Sequence, residues 1–147
     1  MNRLLVITVV AAFFPLTAHS DDAHRRYFPA DANGPGGKNP PFSAAVLAGN
    51  TVYVSGTTDR GPQAGDTPAA AAKRVLDDVK RNVEAAGVTM DDLVWVQVFS
   101  SDLSDYAAFS EVYRTYFKGP LPARAYLGVD HLLGGARFEV MGIAVKR

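Results

Sequence analysis

Cysteine is absent from all 147 residues, which excludes disulfide bracing, thiolate nucleophiles and sulfur-ligated metal. Histidine is nearly as scarce. Beyond residue 20 only His24 and His131 remain, with most of the chain between them, so no metal site is expected. An excess of one charge is missing too: basic and acidic residues number 15 each. Removal of residues 1–20 would take only Arg3, leaving 14 basic against 15 acidic groups, a net charge of about −1. That balance gives no electrostatic case for nucleic acid or for an anionic membrane. Val54-Ser55-Gly56 lacks the flanking glycine of a nucleophile elbow. Asn33-Gly34-Pro35-Gly36-Gly37 lacks the Lys-Ser/Thr ending and following helix of a phosphate loop. Long apolar runs are confined to Leu4–Leu16, too short to span a bilayer comfortably. With Asn2-Arg3 before it and Ala18-His19-Ser20 after it, that run reads as a secretory signal over residues 1–20. The mature protein is therefore expected to be exported, periplasmic or secreted, and free of the membrane.

What is present divides simply. Residues 21–41, rich in Gly, Pro, Asn and Asp, read as a flexible N-terminal segment in which Tyr27-Phe28 forms a short strand. Residues 42–147 form one α+β domain. Ser43–Leu47 and Thr51–Ser55 have strand patterns around the turn Ala48-Gly49-Asn50. Thr67-Pro68 is a helix start, with Thr as cap and Pro at the first helical position. Ala72, Val75, Leu76, Val79, Val83 and Ala86 then form an apolar stripe that Gly87 ends, while Asp77, Lys80, Arg81 and Glu84 read as solvated. A second helix is expected over about residues 105–117. Leu93–Ser101 and Phe138–Val145 are apolar on both sides: Val94, Val96 and Val98 oppose Leu93, Trp95 and Phe99. Such strands belong to a sheet covered on both faces. Two helices cover one face of five or six strands, so another copy of the chain is expected on the other.

The positions of two charges call for explanation. Pro120 and Pro122 force the chain to extend, and alternation then places Arg124, Tyr126 and Gly128 on one side, opposite Ala125, Leu127 and Val129. Glu139 enters the apolar strand Phe138-Glu139-Val140. A cross-strand salt bridge is one reading of the pair. The other is a site for a small 2-oxo or 2-imino acid: Arg presents a planar fork that matches a carboxylate, and Glu can accept a proton from water. His131, in Asp130-His131-Leu132, reads as a loop residue.

Pro41-Phe42-Ser43-Ala44-Ala45-Val46, Val54-Ser55-Gly56, Asn82-Val83-Glu84-Ala85-Ala86-Gly87, Pro122-Ala123-Arg124 and Phe138-Glu139-Val140 stand in the order and spacing of the Rid (YjgF-type) reactive-intermediate deaminases. Across about residues 40–147 the chain resembles that family. The resemblance implies a chorismate-mutase-like mixed sheet with two helices on one face, a homotrimer with clefts between subunits, and no metal or organic cofactor. It implies that Arg124 grips the carboxylate of a small substrate and that Glu139 helps position water, converting a 2-imino acid to a 2-oxo acid and ammonia. Ser55 and Gly56 would line the pocket with Phe42, Ser110 and Tyr126. The chain departs from the family pattern at four positions: Phe42 stands for a usual Tyr, Thr57 for Gln, Ser110 for Asn, and Tyr126 for a small residue such as Cys. These departures keep a second reading open, a non-catalytic protein of the same fold that binds small carboxylates. A ribonuclease reading finds no support in a neutral chain without basic clusters.

Overall fold

The computed structural model describes residues 24–31 and 37–147; the expected signal at residues 1–20 lies outside them. Six strands form one sheet: β1 (Arg25–Pro29), β2 (Ser43–Ala48), β3 (Thr51–Thr58), β4 (Leu93–Ser100), β5 (Ala123–Gly128) and β6 (Phe138–Val145). Their order across the sheet is β1-β2-β3-β6-β4-β5. All neighbours are antiparallel except β4 and β5. The short strand expected at Tyr27-Phe28 is β1, so part of the segment read as flexible forms a sheet edge paired with β2. Gly49, at φ 61°, makes the tight β2–β3 turn without the strain a Cβ would add there.

Helix α1 (Pro68–Ala85) connects β3 to β4, and α2 (Tyr106–Arg114) connects β4 to β5. Both crossovers step the same way across the sheet, and a common hand therefore puts both helices on one face. The Thr67 hydroxyl accepts the Ala70 N–H at 3.1 Å, capping α1 as its sequence requires. Val75, Leu76, Val79 and Val83 of α1 and Phe109 and Tyr113 of α2 are buried against Val52, Val54, Val96, Val98, Phe138, Val140 and Ala144. This one-sided layer is the core.

Three local features differ from the sequence reading. A register shift between Leu93 and Trp95 turns Leu93 into the core and leaves Val94 exposed, so Val94 does not share a face with Val96 and Val98. A bulge inserts an extra residue and reverses the alternation beyond it. Helix α2 ends at Arg114 rather than near Phe117. The amides of Thr115, Tyr116 and Phe117 bond to carbonyls three residues back, and Asp91 Oδ1 then accepts the Lys118 and Gly119 N–H groups. The helix thus tightens and is pinned before its prolines. Finally, β3 continues through Ser55-Gly56 to Thr58, with its register against β6 shifting between Val54 and Thr57.

The other face is bare. Trp95, Phe99, Met141, Ile143 and Val145 are half-buried there, and Tyr53 and Leu127 are exposed. Among the described residues, no element covers it.

Candidate functional site

Cross-strand register decides which residues share a side. Arg124 pairs with Val96 and Tyr126 with Val98, and both valines face the helices. Arg124 therefore leans onto α2. Its guanidinium lies 4.8 Å from the ring centre of Tyr113, 5.3 Å from Tyr106 and 5.7 Å from Tyr126. Its Nη2 donates to Ser110 Oγ at 3.0 Å. Three ring faces attract the cation and restrict its rotamers while leaving most of its N–H groups unbonded. Among the described residues it has no carboxylate partner. The rings are themselves locked, with Tyr126 edge-on to Tyr106 at 5.0 Å and to Phe109 at 5.6 Å. The Tyr113 hydroxyl is buried with no hydrogen-bond partner among the described residues, and burial pushes its phenol pKa up to about 12. Burial likewise raises that of Tyr126.

Glu139 lies on the opposite face. It pairs with Thr58 on one side and Phe99 on the other, in the row that looks away from the helices. The two charges therefore do not bridge within one chain, and the cross-strand salt bridge is excluded for the protomer. Glu139 makes no hydrogen bond or ion pair among the described residues. Burial alone raises its pKa above the ordinary 4.5. Its carboxylate rests over Gly56, where a Cβ would collide with Oε1. Only glycine allows this approach without displacing the acid.

Glu139 borders a cavity of about 710 Å³ at the point where β2 and β3 separate. Phe42, Ser55, Gly56 and Met141 line it on the Glu139 side, and Thr57, Arg60, Asp78, Arg81 and Asn82 line its far wall. Ser55 Oγ donates to the Ser43 carbonyl at 2.6 Å, bracing the split. Asn82 Nδ2 donates to Thr57 Oγ1 at 3.2 Å, tying α1 to the bulge. Of the residues singled out in the sequence, then, Phe42, Ser55, Gly56 and Glu139 assemble here, whereas Ser110, Arg124 and Tyr126 assemble at the other edge of the sheet. His131 is exposed in the β5–β6 connection.

The sequence reading missed the far wall. Arg81, read as solvated, lines the cavity with its side chain 57% exposed and pairs with Asp78. Arg60 donates to Asp78 Oδ2 and Asp31 Oδ2, each at 2.8 Å, from a backbone at φ 68°. The signal available was Asp59-Arg60-Gly61, a turn whose acidic member turns inward: Asp59 is fully buried and accepts the Gly61 and Arg137 N–H groups. Its burial raises its pKa.

A mixed sheet backed by two helices on one face, with polar groups gathered in a cleft, defines a small-molecule-binding α+β domain of chorismate-mutase-like fold. Residues 36–146 match the protein family described as Endoribonuclease L-PSP. A rat protein named 2-iminobutanoate/2-iminopropanoate deaminase is 38% identical over 109 residues, 71% of this chain and 80% of its own length. The crystal structure of the YjgF gene product of E. coli superposes with a TM-score of 0.70 at 34% identity, over 83% of this chain and 100% of that one. E. coli TdcF, solved with bound serine, gives 0.71 at 30% identity, over 83% and 100%. The chain belongs to the Endoribonuclease L-PSP family, the YjgF/Rid group.

Proposed function

We propose that this chain is a Rid-type hydrolase that converts small 2-imino acids or their enamines, such as 2-iminopropanoate and 2-iminobutanoate, to 2-oxo acids and ammonia. The carrying observation is the pair of half-buried, uncompensated charges on opposite faces of one sheet. A partly buried ion without a partner is costly, and each of these is held in place by surroundings that do not neutralise it. Arg124 fits a substrate carboxylate. Glu139 fits a water: as the anion it takes a proton while that water attacks the imine carbon, and the amine nitrogen leaves as ammonia after protonation. The deaminase name carried by the rat relative supports the same substrate class.

The opposed faces demand a second copy. The bare apolar face supports a homotrimer, in which Arg124 of one subunit meets Glu139, Ser55 and Gly56 of the next. Sedimentation of the mature chain is expected to give about three protomer masses; a stable monomer would overturn the shared cleft. Residues 1–20 are proposed to direct export to the periplasm or medium, with Asp21 as the new N-terminus by mass spectrometry.

Ammonia release from freshly generated 2-iminopropanoate tests the hydrolase reading. Phe42, which supplies no hydroxyl to the cleft, favours the second reading, a carboxylate-binding protein without turnover. Saturable binding of 2-oxo acids without ammonia release would establish it.

A further inference from the structure

The cavity beside Glu139 is much larger than a three- or four-carbon imino acid requires. At about 710 Å³ it falls in the range that encloses ligands of drug size. Its far wall is also the wrong chemistry for a methyl or ethyl side chain. Arg60 and Arg81 both donate to Asp78, one carboxylate shared between two guanidinium groups. The rest of the Arg81 N–H groups make no hydrogen bond among the described residues. Asn82 stands beside them with one amide hydrogen on Thr57.

An exposed Asp–Arg pair one turn apart on a helix is ordinarily surface decoration. Two features set this one apart. Arg60 reaches it from another element, and from a left-handed backbone that a non-glycine residue adopts at a cost of about 1–3 kcal/mol. All of these side chains also line the same cavity as Glu139. We infer that Arg60, Arg81 and Asn82 form a subsite for a second, distal carboxylate, so that 2-imino and 2-oxo dicarboxylic acids are favoured over monocarboxylic ones. This rests on the reading that Arg124 and Glu139 receive the α-imino acid end. A distal ammonium would face two guanidinium groups, and an apolar side chain would strip water from them; a distal carboxylate accepts their unused N–H bonds.

Arg81 carries the test, because Arg81→Ala leaves Asp78 paired with Arg60 and places a strong helix former on an exposed position. Calorimetry would compare 2-oxoglutarate with 2-oxopropanoate on the wild-type oligomer, Arg81→Ala and Arg81→Lys. Wild type is expected to bind 2-oxoglutarate more tightly. Arg81→Ala should weaken 2-oxoglutarate about tenfold or more and leave 2-oxopropanoate within about twofold, and Arg81→Lys should recover part of the loss. Equal affinities in the wild type, equal losses for both acids, or no binding of 2-oxoglutarate would each overturn the subsite. Ammonia release from the two corresponding imines, measured on the same samples, judges the hydrolase reading separately. Discrimination without turnover overturns only the hydrolase, and turnover without discrimination overturns only the subsite.

Discussion

The two edges of the sheet handle an unpaired charge in opposite ways. At the β5 edge, Arg124 is boxed by three tyrosine rings and anchored by Ser110, so its orientation is set before any ligand arrives. At the β3 bulge, Glu139 is bounded by Gly56 and open cavity, with no hydrogen bond among the described residues to orient it. The cation side is rigid and the carboxylate side roomy. A group that must hold a fixed anion gains from preorganisation, because the ordering entropy is already spent. A group that must work on a movable water and accept substrates of differing size needs space. The contrast assigns binding to one edge and chemistry to the other.

The largest test of that assignment is Glu139→Gln. Loss of a positioned base is expected to lower turnover about 10²–10⁴-fold while 2-oxo acid affinity changes little. In the wild type, burial holds the Glu139 pKa above 4.5, so the active carboxylate is lost, and turnover falls, as pH drops through that raised value. The variant should lose this limb of the profile. The same shift has a stability consequence of opposite sense. The folded protein holds this proton to higher pH than the unfolded chain does, so the group opposes folding once pH exceeds its folded value. Glu139→Gln should therefore melt at or above the wild-type temperature at pH 7. A marked fall in melting temperature would mean that the carboxylate has a structural partner.

Arg124→Ala comes next. Its expected cost is about 1.5–3 kcal/mol in 2-oxo acid affinity, with about 1 kcal/mol of stability lost from the ring contacts. Arg124→Lys should restore only part of the affinity, since a point charge lacks the two-pronged contact. Measuring melting and binding on one sample decides between roles: a loss of about 3–5 kcal/mol in stability, typical of a stranded buried partner, would contradict the clamp.

The smallest effect is reserved for Tyr113→Phe. The ring face that meets the guanidinium is kept, and the hydroxyl removed is buried without a partner. Stability should hold or rise by up to about 1 kcal/mol, because an unsatisfied polar group is lost, and affinity should stay within about twofold. A clear loss of binding would show that the phenol oxygen itself touches ligand, and would blur the division between the rigid edge and the open one.

Much of this was legible in the chain because it depends on near neighbours. Thr67-Pro68 starts α1 through a cap reaching three residues, Gly49 turns a hairpin, and the spacing of Val75, Leu76, Val79 and Val83 marks the buried side of α1. The two-sided apolar character of β4 and β6 announced a sheet with one face left for a partner. The candidate residues Phe42, Ser55, Gly56 and Glu139 were named from the sequence and share a cavity, as Ser110, Arg124 and Tyr126 share an edge. Tertiary structure alone decided how these groups stand to one another. Insertion of β6 between β3 and β4, and the pairing of Arg124 with Val96 against that of Glu139 with Phe99, put the two charges on opposite faces. One residue of register reverses a side chain's face, and no local pattern specifies a pairing between strands dozens of residues apart. For the same reason Arg81 read as solvent-facing: its helical position was evident, but the split between β2 and β3 that turns its surroundings into a cavity wall is made by residues far from it in the chain.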